Sequence, residues 1–291
     1  MSIDQITTLS DTIELAFYAI GGALLLIEIA KALFERPVSP RGFLDMVASI
    51  STQIPTILFE ALVMTFAYTG YVLLAEAFVT WTMPITVGTI LLTLLVCDFV
   101  YYWEHRLAHE VRALWTQHAV HHSSRHYNTA VALRFGPFEG AWSALIHLPL
   151  VFLGFPPELI FFSVIAVLAY QTWIHTELIG RLGVLDSVLN TPSNHRVHHG
   201  CDDKYIDKNY GGVLILWDRL FGTYQAEEET PRYGLKRDFD SVNPLAVWFS
   251  ELPRFFGDAL RARNLGELSH VLFGKPGEPY AGGQAPDKRD G

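Results

Sequence analysis

Residues 104–128, EHRLAHEVRALWTQHAVHHSSRHYN, contain six histidines in 25 positions and directly follow a long apolar run. Most of these histidines are three or four residues apart, and the same spacing returns at residues 195–199. Eight histidines belong to these motifs: His105, His109, His118, His121, His122, His195, His198 and His199. Side chains three and four positions apart share one face of a helix, so each motif can direct its imidazoles at one point.

Chance does not explain the motifs. A histidine triple with the spacing of His118, His121 and His122 is expected on the order of 0.02 times in a chain of this composition, and it occurs twice. Lone histidines are usually packed or surface residues, but neutral imidazole is also the commonest side-chain ligand for ions such as zinc and iron. Eight ligands exceed what one four-coordinate ion uses, so the sequence predicts two metal ions.

Three further residues are candidates for the same site. His175, at the end of a later apolar region, is predicted as a ninth ligand. Asp98 lies about two helical turns before His105, so it either orients a ligating histidine or merely lies near the membrane interface. Glu110 is open to three roles, as a ligand, a proton carrier or a solvent-facing charge. The remaining histidines are predicted to be packing or surface residues: His126, His147 and His270.

Four apolar regions predict an integral membrane protein. Half of the residues are hydrophobic and only 18% are charged, and the apolar residues concentrate in residues 15–34, 57–75, 85–103 and 138–176. Each of the first three can cross a hydrocarbon core as one helix, since about 20 residues suffice. The fourth is interrupted by Phe155-Pro156-Pro157, so it is predicted to form two membrane helices that turn there, or a re-entrant hairpin if its halves are short.

The basic residues of the connectors predict the orientation. Lys31, Arg36 and Arg41 flank the end of the first span, whereas the connector near Glu76 has no basic residue. The amino terminus is therefore predicted outside and the connector at residues 34–56 inside, so that the histidine motifs face the cytoplasm. The polar, acidic amino terminus lacks the basic segment and cleavage site of a signal peptide, so the first span is expected to remain in place.

Charge and cysteine content limit the partners and the compartment. The formal net charge of −9, which owes much to acidic groups such as those at residues 227–229, argues against nucleic acid as a partner. Cys97 lies in an apolar span and Cys201 in the later half of the chain. Two cysteines so placed give no disulfide framework and fit a reducing compartment.

Two metal ions held by imidazole at a membrane boundary fit hydrolysis, transport or oxidation. Zinc hydrolases generally use three or four ligands, fewer than the nine candidates here. A transporter is expected to hold its ligands near the bilayer midplane, whereas these motifs follow the third span and the fourth apolar region. Oxygen activation by iron, for attack on an alkyl chain, accounts for both the metal count and the lipid setting. The residues alone do not name the substrate.

The motifs and their order resemble the sterol desaturase and fatty acid hydroxylase superfamily of integral membrane diiron oxygenases. The strings YYWEHRLAHEVRALWTQHAVHHSSRHYN, YQTWIHTELIG, NTPSNHRVHHG and YIDKNYGGVLILWDRLFGTY are closest to its alkylglycerol monooxygenase-like members. Gln171 stands where fatty acid hydroxylases of the superfamily usually carry another histidine, and it matches that subgroup. The string FGPFEG at residues 135–140 departs from the subgroup.

The resemblance implies two iron ions bound by the eight motif histidines and His175, and the insertion of one oxygen atom from O2 into a lipid drawn from the bilayer. It also implies an external electron donor, such as a tetrahydropterin, whose use involves Glu110. Zinc can replace iron in a purified sample. The alternatives are a desaturase of the same superfamily and, from another class, a non-catalytic metal-binding or transport membrane protein.

The predicted fold is therefore all-α, an integral membrane helical bundle with a cytosolic helical cap that holds a histidine-rich dimetal site. Residues 1–176 are assigned to the membrane-spanning helices, with the first two motifs in a cytosolic connector at residues 104–137. Residues 177–272 are assigned to the cap, which carries the third motif. Residues 273–291, rich in Gly, Pro, Asp and Lys, are predicted to form a disordered tail.

Overall fold

The computed structural model describes residues 3–34 and 39–278, and the regular elements within these residues are all helices. The α-helices in chain order are α1 (Ile3–Phe34), α2 (Pro40–Phe78), α3 (Val87–Glu110), α4 (Arg112–His122), α5 (Glu139–His147), α6 (Pro149–Phe152), α7 (Pro157–Tyr170), α8 (Pro192–His198), α9 (Leu216–Phe221), α10 (Pro244–Trp248), α11 (Leu252–Arg261) and α12 (Leu265–Phe273). Pairing between extended segments is limited to two isolated bridges in this part of the chain. The predicted all-α class is confirmed.

Four helices are long and apolar enough to cross a membrane: α1, α2, α3, and α7 together with the 3-10 turn that follows it, residues Pro157–Ile174. Many of their apolar side chains face outward, and Leu15, Leu58 and Phe66 are 71%, 74% and 71% exposed. A broad apolar surface of this kind is unfavourable in water and is satisfied by lipid. These helices therefore form the membrane scaffold.

Helix α2 begins earlier than the sequence predicted. The prediction of a connector up to residue 56 is wrong, because the chain is helical from Pro40, where Ser39 caps the helix by accepting a hydrogen bond from the Gly42 N–H (3.1 Å). The first half of α2 buries a polar stripe that includes Asp45 and Ser49. That polar stripe hides the helix from a search for continuous apolar segments. Arg36, used to predict the orientation, lies outside the described residues.

The fourth apolar region forms a hairpin with one short, broken half. The chain turns at the predicted proline pair, between α6 and α7. The first half consists of α5 and α6, which are nine and four residues long and are separated at Leu148. At about 1.5 Å per residue, neither piece crosses a hydrocarbon core of about 30 Å. The first half therefore has the short proportions of a re-entrant segment, whereas the second half, Pro157–Ile174, is long enough to cross.

Glu28 joins the first span to the segments that carry the histidines. Its carboxylate accepts hydrogen bonds from the Thr129 N–H (2.8 Å) and from the Thr176 hydroxyl (2.5 Å). Thr129 follows the second histidine motif, and Thr176 is the neighbour of His175. A charged group within an apolar helix is costly unless it is paired, so these bonds fix the end of α1 against the site.

The last described residues pack against the helix that bears the second motif. The Arg112 N–H, at the start of α4, donates to the Gly274 carbonyl (3.0 Å), and the Arg112 guanidinium pairs with Asp258 of α11. The first residues of the predicted tail therefore contact the body of the protein. Residues 279–291 of that predicted tail lie outside the described residues.

Candidate metal centre

The histidines are carried by the ends of four helices. His105 and His109 lie on the last two turns of α3, and not in a connector, because α3 continues beyond the third apolar span to Glu110. The remaining seven lie on α4, just after α7 and at α8: His118, His121, His122, His175, His195, His198 and His199. All nine are buried, with exposures of 1% to 9%. The structure thus brings together every histidine that the sequence proposed as a ligand.

Five of the nine form a first histidine group, made of His105, His109, His118, His122 and His198. The Nε2 atom of His118 lies 3.0 Å from that of His105 and 3.1 Å from that of His122. The Nε2 atom of His198 lies 3.1 Å from that of His122. The Nε2 atom of His109 is buried without a hydrogen-bond partner. A buried nitrogen that has no partner and lies beside four converging ring nitrogens is what a metal-ligand atom requires.

The other four form a second histidine group, made of His121, His175, His195 and His199. The Nε2 atom of His175 lies 3.1 Å from that of His121 and 2.8 Å from that of His195, and the His195 and His199 Nε2 atoms are 3.2 Å apart. Within each group the ligand atoms all lie within 4.8 Å of one another. Each group could therefore hold one metal ion.

The outer nitrogens of the rings are held by acceptors that turn the inner nitrogens toward each other. The Nδ1 atoms of His105, His175 and His198 lie 2.8, 2.8 and 3.0 Å from the carbonyl oxygens of Tyr210, Gln171 and Lys208. A carbonyl can only accept, so these Nδ1 atoms carry the proton and the Nε2 lone pairs face inward. This arrangement is typical of metal-ligating histidines.

A carboxylate performs the same task for His118. The Nδ1 atom of His118 lies 2.9 Å from Glu139 Oε1, so Nδ1–H donates to the carboxylate. Sequence reasoning did not identify Glu139 as part of the site. It lies in the FGPFEG string that departs from the alkylglycerol monooxygenase-like pattern. That departure was the only feature of the sequence that could have pointed to Glu139.

Burial keeps the imidazoles neutral. It lowers the pKa of His118 to about 3 and the pKa of His175 to about 4. For His122, burial is again the main cause of a pKa well below the ordinary value, and the neighbouring histidines lower it further. Neutral imidazole is the form that binds a metal, so these rings can bind a cation at neutral pH without first losing a proton.

Arg134 contacts the outer side of the second histidine group, at the Nδ1 atom of His121. The sequence did not predict this residue as part of the site. Its carbonyl lies 3.2 Å from His121 Nδ1. Its fully buried guanidinium donates to Asp45 Oδ1 (2.9 Å) and Ser49 Oγ (3.2 Å) of α2. A buried charge pair of this kind connects the membrane scaffold to the site.

Asp98 contacts a loop and not a histidine. Its carboxylate accepts hydrogen bonds from the Val213 N–H (2.7 Å), the Leu214 N–H (3.2 Å) and Trp217 Nε1 (2.8 Å). Asp98 does not contact His105 directly, since two helical turns separate the side chains by about 10 Å along the axis. The loop that Asp98 holds includes Tyr210, whose carbonyl binds His105. Asp98 is therefore connected to His105 through the loop.

Glu110 lies at the end of α3, outside both histidine groups. Its carboxylate accepts a hydrogen bond from Arg106 Nε at 3.0 Å and is partly exposed. Negative charge on Glu110 also acts on Asp207, whose Oδ1 lies 3.7 Å from His109 Nδ1. Glu110 is thus near the first histidine group without contacting it.

A cavity of about 640 Å³ reaches the first histidine group from the membrane scaffold. Its walls come from α2, α3, α4, α5, α7 and α11, and they include His105 and His118. Most of the wall is apolar, and aromatic rings contribute a large share of it: Tyr71, Tyr101, Phe135, Phe138, Trp142, Phe161, Phe255 and Phe256. Such a cavity has the size and character of a site for an alkyl chain.

A second cavity of about 440 Å³ reaches the site on another side. It is lined by histidines of both groups, namely His109, His122, His198 and His199, and by Trp115. Charged side chains form much of the remaining wall: Arg112, Asp207, Lys236, Arg237, Glu251, Arg254 and Asp258. The candidate metal centre therefore lies between an apolar cavity and a polar one.

Comparisons with known proteins identify relatives of this chain. Residues 90–223 match the family model described as fatty acid hydroxylase. Alkylglycerol monooxygenase from Homo sapiens is 39% identical over 238 residues, which cover 79% of this chain and 52% of that protein. The corresponding protein from Xenopus tropicalis is 36% identical over 239 residues, covering 81% and 52%. The ornithine lipid hydroxylase OlsE from Rhizobium tropici is 36% identical over 146 residues, covering 50% and 43%.

The matched length sets the scope of these similarities. The chain spans about half the length of the alkylglycerol monooxygenases it matches. The family match covers the three histidine motifs and His175 together. No solved structure matches the chain significantly.

Proposed function

We propose that this chain is a membrane-bound diiron oxygenase of the fatty acid hydroxylase family, whose model residues 90–223 match, and that it inserts one oxygen atom from O2 into a lipid. The observation that carries the proposal is the convergence of nine buried imidazoles into two adjacent groups, the first of which contributes to the wall of an apolar cavity. In this proposal the nine histidines bind two iron ions. When bound, the irons supply the oxidising power that an unactivated C–H bond requires, drawn from O2 and two electrons.

The chain's own residues prepare that chemistry. The Nδ1 acceptors hold the rings in one orientation, so binding of the ions needs little rearrangement. Asp98 has a positioning role, because it fixes the loop whose carbonyl orients His105. The apolar walls of the larger cavity exclude water from the alkyl chain and hold it beside His105 and His118.

The two cavities separate the lipid from the reductant. A lipid would reach the apolar cavity laterally, since the helices that form it expose apolar side chains to the bilayer. An external electron donor, a tetrahydropterin or another small reductant, would approach through the polar cavity. Glu110 would help to relay protons or bind the reductant there, through its neighbour Asp207, which lines this cavity.

We infer a multi-pass membrane location with the metal centre on the cytoplasmic side. Four helices of membrane-spanning length support the location. The basic residues Lys31 and Arg41, near the end of α1 and the start of α2, support the orientation. The test is the accessibility of single cysteines introduced at Glu76 and at Arg181 to an impermeant thiol reagent in intact cells. Labelling should occur at Glu76 and be absent at Arg181, and the reverse pattern contradicts the orientation.

Purified protein tests the activity. The wild type should contain about two irons per chain and take up O2 when a reductant and lipid are supplied. The His121→Ala variant should lose both properties, while His126→Ala, outside both groups, should keep them. Lipid mass spectrometry of expressing cells should then find a lipid that gains one oxygen atom. Loss of two hydrogens instead would identify a desaturase, and metal flux without O2 uptake would identify a transport protein.

A further inference from the structure

Three glutamates line the apolar cavity. Glu60 comes from α2, Glu104 from α3 and Glu139 from the start of α5. Among the described residues that line this cavity, none is a lysine or an arginine. Neither histidine group includes a carboxylate from the part of the chain that the structure describes. The glutamates therefore form an acidic cluster beside the candidate metal centre and are not themselves in its ligand sets.

The carboxylates of this cluster accept few hydrogen bonds from the described part of the chain. Glu139 accepts from His118 Nδ1 (2.9 Å), and Glu104 accepts from the Ser143 hydroxyl (3.1 Å) with His147 Nδ1 at 3.4 Å. For Glu60, no hydrogen bond to the described part of the chain is formed. Carboxylates can accept about four hydrogen bonds each, so the three together hold several free acceptor positions that face the cavity.

Unpartnered polar atoms of other residues point to the same place. His147 is 2% exposed and lines the cavity, and its Nε2 atom is buried without a hydrogen-bond partner. Trp142 Nε1, also buried without a partner, belongs to the same wall. Buried polar atoms are rarely left without a hydrogen-bond partner in a folded protein. This end of the cavity is therefore built for a polar group that the chain does not supply.

The charges determine which polar group fits. Three carboxylates share the wall of one cavity, so their negative charges repel one another, and the described wall has no lysine or arginine to offset that repulsion. An anionic headgroup, such as a fatty acid carboxylate, would add to the repulsion. An ammonium group would relieve it and would donate up to three hydrogen bonds. The aromatic rings of the wall, such as Tyr71 and Trp142, also favour a cation over an anion.

We propose that Glu60, Glu104 and Glu139 form a headgroup subsite that selects lipids with a positively charged amine. The proposal rests on the proposed function only in taking the apolar cavity as the lipid site. Glu139 touches His118, and Glu104 directly precedes His105, so the amine lies at the metal end of the cavity. The carbons nearest the headgroup are then the ones that face the metal centre.

Binding of matched lipids tests the proposal without turnover. The metal-loaded full chain, in nanodiscs of phosphatidylcholine, is titrated under argon and without reductant with radiolabelled hexadecylamine, 1-O-hexadecylglycerol and hexadecanoate. Hexadecylamine should bind at least about tenfold tighter than hexadecanoate, with the glycerol ether between them. Tighter binding of the glycerol ether would overturn the amine assignment in favour of a neutral polyol, and tighter binding of hexadecanoate would overturn the subsite.

Two variants and a matched control assign the selectivity to the glutamates. Glu60→Gln and Glu104→Gln should bring the affinity ratio of amine to hexadecanoate toward one, because each removes a charge and keeps the shape. Glu76→Gln, on the exposed part of the same helix as Glu60, should leave the ratio unchanged. If Glu104→Gln does not fold, the half-buried Glu60→Gln decides alone. An unchanged ratio in Glu60→Gln overturns the proposal.

Iron content separates this proposal from the proposed function. Both glutamine variants should retain the iron content of the wild type, and loss of iron would show that the carboxylates serve the metals and would overturn the subsite. A protein that binds the amine selectively but takes up no O2 would sustain the subsite and contradict the oxygenase.

Discussion

Replacing Asp98 by asparagine tests whether a residue two turns from the nearest histidine controls a metal group. Asp98 is 3% exposed and accepts three hydrogen bonds, two from the loop that follows Tyr210 and one from Trp217 of α9. The introduced asparagine would have the same shape as the aspartate, but its amide nitrogen, which carries two N–H donors, would face N–H groups that also donate. The loop should shift, and the carbonyl of Tyr210 would move away from His105 Nδ1.

The size of the effect follows from the bonds involved. A hydrogen bond to a charged group contributes about 1.5–3 kcal/mol, and a buried donor left without a partner costs about 1–3 kcal/mol. Because asparagine keeps one acceptor oxygen, we expect Asp98→Asn to lower the free energy of unfolding by about 2–4 kcal/mol. Loss of an outer contact to a ligating histidine typically weakens metal binding by about 10–100-fold.

The assay compares Asp98→Asn with Trp217→Phe. Phenylalanine removes one of the three donors to Asp98 and can keep the aromatic contact of Trp217 with Phe99, so it should cost about 1.5–3 kcal/mol and leave metal affinity near the wild-type value. Metal affinity is measured by competition with a chelator, and stability by denaturant unfolding in detergent. Equal metal affinity in Asp98→Asn and the wild type would refute the positioning role, whatever the loss of stability.

Three further predictions concern the histidine groups and their support. His109→Ala should remove one of the two metal equivalents, because its buried Nε2 atom has no hydrogen-bond partner and lies beside the other nitrogens of the first histidine group; metal analysis beside His126→Ala checks this, and two retained equivalents would contradict it. The metal-free protein should lose stability as the pH falls below about 6.5, because the histidines of the unfolded chain then bind protons. In the folded protein burial lowers the pKa of His118 to about 3 and that of His175 to about 4, so these rings stay unprotonated. Unfolding curves from pH 8 to pH 5 measure the loss, and a flat profile would contradict it. Arg134→Met should cost about 3–5 kcal/mol by leaving its buried carboxylate partner unpaired, and thermal unfolding would contradict this if the transition did not move.

The sequence predicted the histidines of the site because their spacing is a local property. His105 and His109 are one turn apart on any helix, and this relation needs no knowledge of the fold. The support of the site depends on contacts between distant segments. Arg134 pairs with Asp45 across 89 positions of the chain, and nothing in the sequence around either residue indicates that partner.

The same limit applies to the acidic cluster. Glu60 was one of the few charges in the second predicted span, and Glu104 and Glu139 lay on either side of the second motif. Each has an ordinary local explanation as a single charged residue. Only the packing of α2, α3 and α5 around one cavity brings the three carboxylates to the same wall.

The division of the histidines between two groups follows from helix geometry. In the second motif, His118 and His122 share the first group while His121 joins the second. In the third motif, His195 and His199 share the second group while His198 joins the first. At 3.6 residues per turn, positions i and i+4 differ by about 40° around the axis, whereas positions i+3 and i+4 differ by about 100°. The pair one turn apart therefore binds together, and the residue at i+3 points across to the other group.

The two histidine groups are mechanically coupled, because α4 and α8 each contribute rings to both. His121 and His122 are adjacent on α4, and their rings belong to different groups, as do those of His198 and His199 at α8. An ion that fixes the orientation of α4 and α8 through the first group also fixes the rings that these helices give to the second. Because each helix contributes to both groups, an ion in the first group would add to the restraint that the Nδ1 acceptors already place on the rings of the second group.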